Sequence, residues 1–95
     1  MPKGYVVARA KVTDPTKWAA YAAKASEAMK IYGGNPIVRG GQTIIAEGEG
    51  RARNVVIEFA DVESAKRYVY SPEYAAARKE REGAGEIDIV VVEGA

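Results

Sequence analysis

The order in which hydrophobic periods change along the chain limits the fold more than any single motif. "YVVARAKV", Tyr5 to Val12, alternates with period two: Val6, Ala8, Ala10 and Val12 share one side, and Tyr5, Val7, Arg9 and Lys11 the other. The period then becomes helical. Asp14 stands as an N-cap with Pro15 at the first helical position. Trp18, Tyr21, Ala22, Ala25, Met29 and Tyr32 follow at helical spacing. Gly33 and Gly34 end that helix, and Asn35-Pro36 prevents its resumption. A second strand is expected in "PIVRGGQTIIAEG", Pro36 to Gly48, bulged at Gly40-Gly41, and a charged glycine-rich loop follows it. "NVVIEF", Asn54 to Phe59, is the third strand. Asp61 caps a second helix whose Val62, Ala65 and Val69 face inward, and Ser71-Pro72 restarts it as a further short helix. "EIDIVVVE", Glu86 to Glu93, is the fourth strand.

The order is therefore βαββαβ. Right-handed crossovers turn it into a ferredoxin-like α+β fold: a four-stranded antiparallel sheet of order 4-1-3-2 with both long helices on one face. Ninety-five residues are expected to form one domain, residues 1–95. A chain of this size buries roughly 60–70% of its unfolded surface, so a core is possible but small.

Helices on one face leave the other face bare. Val6, Ala8, Ala10, Val55, Ile57, Phe59, Ile87 and Ile89 form a consistent helix-facing set. The opposite face carries Val7, Arg9, Val56, Glu58, Asp88, Val90 and Val92. A solvated antiparallel face reads polar at alternate positions, whereas this one mixes branched apolar residues with charges of both signs. Such a face is expected to be covered, and a two-fold homodimer through the open sheet face is the simplest cover. Strand propensity alone is the competing account of the valines.

The composition excludes several chemistries. There are no cysteines and no histidines, so disulfides, thiol nucleophiles, zinc fingers and histidine-based triads lack their residues. No acidic cluster has EF-hand spacing, and neither a metal nor an organic cofactor is expected. The 14 basic and 13 acidic residues leave a net charge of +1, which gives no field to attract nucleic acid or an anionic membrane. No apolar run approaches the roughly 20 residues that cross a bilayer, and the N-terminus lacks signal-peptide character, so a cytoplasmic location is the expectation. "GEGRAR" begins like a dinucleotide-binding turn but lacks the third glycine and leads into a strand. The two central strands lack the aromatic pattern that stacks RNA bases on this fold.

"DPTKWAAY", "GGNPIVRGG", "RNVVIEFAD", "AKRYVYSPEYAAARKER" and the closing "VEG" together resemble the domain-of-unknown-function family numbered 1330, over about Tyr5 to Gly94. The departures are modest: Ala60 and Asp61 replace a common proline and serine, and Trp18 a common tyrosine. The resemblance implies a dimeric α+β barrel, two ferredoxin-like sheets packed face to face. The wider superfamily includes cofactor-free monooxygenases, lactone isomerases and stress-responsive barrels. It also implies that Tyr21, Arg39, Glu58, Ser71, Tyr74 and Arg78 occupy motif positions.

The residue chemistry suits a small organic acid or aromatic molecule. Guanidinium forks bind carboxylates bidentately, and a tyrosine hydroxyl orients a carbonyl or phenol. In "SPEYAAARKER", Arg78 and Arg81 lie at i+4 and i+7 from Tyr74, on one helical face with Ala77. The candidate assignment is Glu58 as a catalytic base, with Tyr21, Arg39, Tyr74 and Arg78 binding substrate. Structural roles compete at each position: an ion pair for Glu58, solvated pairs with Glu73, Glu80 or Glu82 for Arg78 and Arg81, and core packing for Trp18 and Tyr21. Ser71 reads as an N-cap. A structural or interaction module with a filled barrel and no ligand is the alternative function.

Overall fold

The computed structural model describes residues 2–95. Its elements run β1 (Gly4–Val12), α1 (Pro15–Ile31), β2 (Asn35–Arg39), β3 (Arg53–Phe59), α2 (Val62–Val69), α3 (Pro72–Glu80) and β4 (Gly85–Glu93). The strands form one antiparallel sheet of order β2-β3-β1-β4. This is the ferredoxin-like arrangement expected from the periods. Among the described residues no helix is long and apolar enough to cross a membrane.

The helix ends follow local chemistry. The Asp14 carboxylate accepts from Lys17 N at 3.2 Å, Asp61 from Ser64 N at 2.7 Å and Ser71 Oγ from Tyr74 N at 3.0 Å, each satisfying an orphan first-turn donor. Helix α1 closes in a Schellman turn: Gly34 N donates to Met29 O at 2.9 Å while Gly33 takes φ +78°, a conformation glycine adopts without penalty.

The register fixes what lies under α1. Val6, Ala8 and Ala10 of β1 stand beside Ile57, Val55 and Arg53 of β3 on one flank, and beside Val91, Ile89 and Ile87 of β4 on the other. The core gathers on this side, around Val6, Ile57, Phe59, Trp18, Ala28, Met29, Ala65, Tyr68, Tyr74 and Ala77. Phe59 and Tyr74 are the largest side chains buried at its centre. The molecule is a two-layer slab, 17 Å in its thin direction against 37 and 33 Å, and among the described residues no helix covers the other sheet face.

The second strand differs from expectation. It ends at Arg39, and its irregularity lies between Pro36 and Val38 rather than at Gly40-Gly41. Gly40 takes φ +67° and makes a last bond, Gly40 N to Asn54 O at 2.9 Å, and the chain then leaves the sheet. Residues 41–52 form a loop held by the Asn54 side chain, which donates to Thr43 Oγ1 and Arg51 O. Ile44 and Ile45 looked like strand residues, yet they are exposed in this loop.

Candidate functional site

Ala8 and Ala10 are too small to fill the space between sheet and α1, and a cavity of about 60 Å³ remains there. Its floor is branched aliphatic: Val6, Val55, Ile57, Ile87 and Ile89. Trp18, Tyr21, Ala22, Ala25 and Met29 of α1 roof it, and Tyr68, Val69 and Tyr74 close one side. Polar groups come from Ser26, Arg39 and Arg53 and from the tyrosine hydroxyls.

Tyr21 and Tyr74 meet hydroxyl to hydroxyl at 2.8 Å inside the core. Two further rings flank the pair, with Trp18–Tyr21 centroids 5.2 Å apart and Tyr68–Tyr74 5.1 Å, against 6.2 Å for Tyr21–Tyr74. Ser71, itself buried, fixes the approach of α3. Its hydroxyl donates to Tyr68 O at 2.7 Å and accepts from Tyr74 N, so the loop before α3 is clamped to the end of α2. Burial pushes the Tyr21 hydroxyl well above the ordinary tyrosine range, reinforced by its Tyr74 neighbour and outweighing the opposing Arg81 charge. Tyr21 is therefore neutral at physiological pH. Two phenols carry two hydrogens and their mutual bond uses one, so the pair retains one O–H for a third group.

The basic residues of the cavity are Arg39 and Arg53. Arg39 pairs with Val55 in the ladder and so shares the helix-facing side, where its Nη2 donates to Ser26 Oγ at 2.5 Å. Arg53 pairs with Ala10 and shares that side too. The Arg53 guanidinium lies against Gly40, where a Cβ would displace the flexible end of that side chain. Among the described residues neither arginine has a carboxylate partner. Two uncompensated guanidinium groups at an otherwise apolar cavity match an anionic group on an apolar body.

Of the five candidate site residues, the structure brings Tyr21, Arg39 and Tyr74 together. Glu58 stands on the opposite sheet face, because it is one residue out of phase with Ile57. There it accepts from Lys3 Nζ at 2.9 Å and Tyr5 Oη at 3.2 Å. The Lys3 hydrogen bond holds its carboxyl below the usual range, the reverse of what a general base near neutrality needs. Arg78 is exposed on α3 and lines a second groove, against α2 and β4, that adjoins the cavity at Val69, Tyr74, Ile87 and Ile89. The competing account, pairs of Arg78 or Arg81 with Glu73, Glu80 or Glu82, finds no such pair among the described residues. Glu73 accepts from Tyr32 Oη, Glu80 pairs with Lys24, and Arg81 lays its Cζ 5.1 Å from the centre of the Tyr21 ring.

Sequence reasoning missed Arg53 and Ser26. For Arg53 the signal was present: it shares strand parity with Val55 and Ile57. Ser26 gave only a weak one, a lone hydroxyl between Ala22 and Met29 on the buried stripe of α1. Among the described residues no group of three or more acidic side chains is placed to hold a metal.

The model of a domain of unknown function, DUF1330, matches residues 3–95. The chain belongs to the DUF1330 family. A comparison with curated proteins found no match. Solved structures share the fold at low identity. A protein of unknown function from Rhodopseudomonas palustris is 15% identical, with a TM-score of 0.79 over 99% of this chain and 83% of its own. SnoaB, a cofactor-independent oxygenase from Streptomyces nogalater, is 15% identical, with a TM-score of 0.63 over 97% of this chain and 92% of its own. A dimeric protein of unknown function with a ferredoxin-like fold, from Bacteroides fragilis, is 19% identical, with a TM-score of 0.58 over 96% and 95%. At these identities the likeness of the DUF1330 chain to its neighbours is one of fold.

Proposed function

We propose that this DUF1330 chain acts as a homodimer that binds a small organic molecule, an aromatic or aliphatic body bearing a carboxylate or phenolate, in the cavity under α1. One observation carries the reading: the spare hydroxyl of the Tyr21–Tyr74 pair and the uncompensated Arg39 and Arg53 border the same apolar cavity. The arginines take the anionic group, the hydroxyl takes a carbonyl or phenol oxygen, and the valines and isoleucines take the body. Turnover at such a site rests on positioning and on the tyrosine proton rather than on a metal or organic cofactor. The fold likeness to a cofactor-independent oxygenase supports that chemistry by analogy.

The cavity's size shapes the prediction. At about 60 Å³ it is smaller than the roughly 150 Å³ that encloses a benzene ring, so an aromatic body requires the roof to give. The Arg39–Ser26 hydrogen bond ties β2 to α1 across the site, and an anion that engages Arg39 competes with that tie. The same small volume favours the second reading, a filled barrel without ligand.

Dimerisation through the open face rests on Val38, Val90 and Val92, 44%, 51% and 46% exposed, beside half-buried Tyr5, Val7 and Val56. The fold-related Bacteroides fragilis protein, which is dimeric, supports it.

The test is a thermal-shift panel of benzoates, salicylates, phenols and short aliphatic acids on wild type, Arg39→Gln and Tyr74→Phe. A ligand specific for the native state raises the melting point by mass action. A shift in wild type that Arg39→Gln abolishes and Tyr74→Phe weakens is the expected result. No shift across the panel would leave the structural module in its place.

A further inference from the structure

A second groove, of about 540 Å³, opens on the other side of Tyr74. Helices α2 and α3 are short, eight and nine residues, and leave part of the edge strand β4 uncovered. Ile87, Ile89 and Val91 face the groove at every second position, an apolar track of about 13 Å at strand rise, with Val62 and Val69 alongside. The Tyr70 ring, 80% exposed, stands at its edge.

The charges around this track are of one sign. Lys66, Arg78 and Arg81 line the groove and no acidic residue does. Among the described residues Arg78 takes part in no ion pair and no side-chain hydrogen bond. Arg81 stacks on Tyr21, and its buried Nε has no hydrogen-bond partner. A buried, unpartnered donor on a charged group is costly unless a ligand or water completes it. Lys66 makes only a long contact to Glu63, 3.4 Å, on the exposed side of α2.

We propose that this groove binds an aliphatic monocarboxylate of medium chain length, the carboxylate held by Arg78 and Arg81 with Lys66 nearby and the acyl chain laid along Ile87, Ile89 and Val91. Charge complementarity selects the head group, and the unbroken aliphatic track selects a linear chain over a compact ring. The groove adjoins the tyrosine cavity, with Val69, Tyr74, Ile87 and Ile89 common to both, and is distinguished from it by its cations: Lys66, Arg78 and Arg81 line the groove, Arg39 and Arg53 the cavity. It stands whether or not the cavity takes a ligand.

The experiment titrates decanoate into the whole protein, followed by calorimetry and by amide resonances, with 1-decanol as the neutral control. Saturable decanoate binding is expected, with perturbations at Lys66, Arg78 and Val91. Arg78→Gln should weaken it about tenfold or more, the worth of a charge-assisted hydrogen bond to an ion, and 1-decanol should bind weaker by a similar factor. Arg39→Gln should leave the affinity unchanged, which separates this site from the cavity. The proposal is overturned if millimolar decanoate does not bind, if decanol binds equally well, if Arg78→Gln has no effect, or if the perturbations fall on Val56 and Val90 of the open face.

Discussion

The two faces of the sheet are made from the same four strands, one residue out of phase, and they handle charge in opposite ways. On the open face charges of both signs stand together: Lys3 pairs with Glu58 at 2.9 Å and Arg51 with Asp88 at 3.2 Å, and Arg9 and Lys11 lie beside Asp88 and Glu86 in the ladder. On the helix-covered face the cavity is lined by no carboxylate, and among the described residues Arg39 and Arg53 border it without an ion-pair partner. A compensated surface is content with water or with a second copy of itself, whereas uncompensated cations beside apolar surface are matched by an anion from outside. This contrast is the ground for proposing ligand chemistry on the covered face and assembly on the open one.

The sharpest way to break the contrast is to remove the core that creates it. Phe59, fully buried, packs against Tyr68 with ring centroids 5.4 Å apart. Phe59→Ala should cost about 3–5 kcal/mol, a large part of what so small a domain has, and denaturant unfolding will show it. On the open face the equivalent test is assembly. Val90→Lys places two like charges across an isologous contact and should cost about 2–5 kcal/mol of association. Light scattering is then expected to find a wild-type dimer and a folded Val90→Lys monomer. A wild-type monomer at micromolar concentration would mean that the face is solvated.

Much of this contrast was legible in the residue pattern, and its failures have physical causes. Element order, sheet order and the three N-caps follow from period changes and from Asp14, Asp61 and Ser71, which act locally. The strand period also placed Ala8 and Ala10, the small residues beneath the cavity, on the helix-facing side. The second strand was drawn too long because Ile44 and Ile45 have strand propensity, whereas pairing is decided by whether Gly40 turns the chain away. Glu58 and Arg78 lie apart from the Tyr21 cavity for a different reason. Motif positions do not say on which side of a sheet or helix a side chain emerges: Glu58 is out of phase with Ile57, and Arg78 turns away from the buried Tyr74–Ala77 edge of α3. The buried tyrosine bond had no sequence signal, since it joins residues 53 positions apart.

A smaller change tests the covered face from within. Tyr21→Phe leaves the Tyr74 hydroxyl buried without its partner, and Tyr74→Phe does the same to Tyr21, so each should cost about 1–3 kcal/mol. The double variant should cost less than the sum, because it removes donor and acceptor together, and the shortfall measures the bond. Additive costs would mean that water or a ligand, rather than the partner tyrosine, satisfies each hydroxyl.

The smallest expected effect belongs to the open face. The Lys3 hydrogen bond holds Glu58 below its ordinary 4.5, and the Glu58 hydrogen bond raises Lys3 above 10.5. A lowered carboxyl contributes stability that is present above pH 4.5 and lost as pH falls through the folded value. A raised amine contributes stability that is present below pH 10.5 and lost as pH rises through its folded value. The pair therefore helps across the whole middle range, weakly, since it is open to water and salt. A side-chain carboxyl titration by NMR should find the Glu58 midpoint below 4.5 in wild type and nearer the ordinary value in Lys3→Gln. Repeating it across protein concentration joins this test to assembly. A partner over this face removes water from Glu58, and burial pushes a carboxyl upward against Lys3 and Tyr5. A midpoint that climbs towards neutrality as dimer forms would give Glu58 the pKa of a general base. A midpoint below 4.5 at every concentration leaves it an ion-pair partner, and leaves any proton transfer to the tyrosines on the other face.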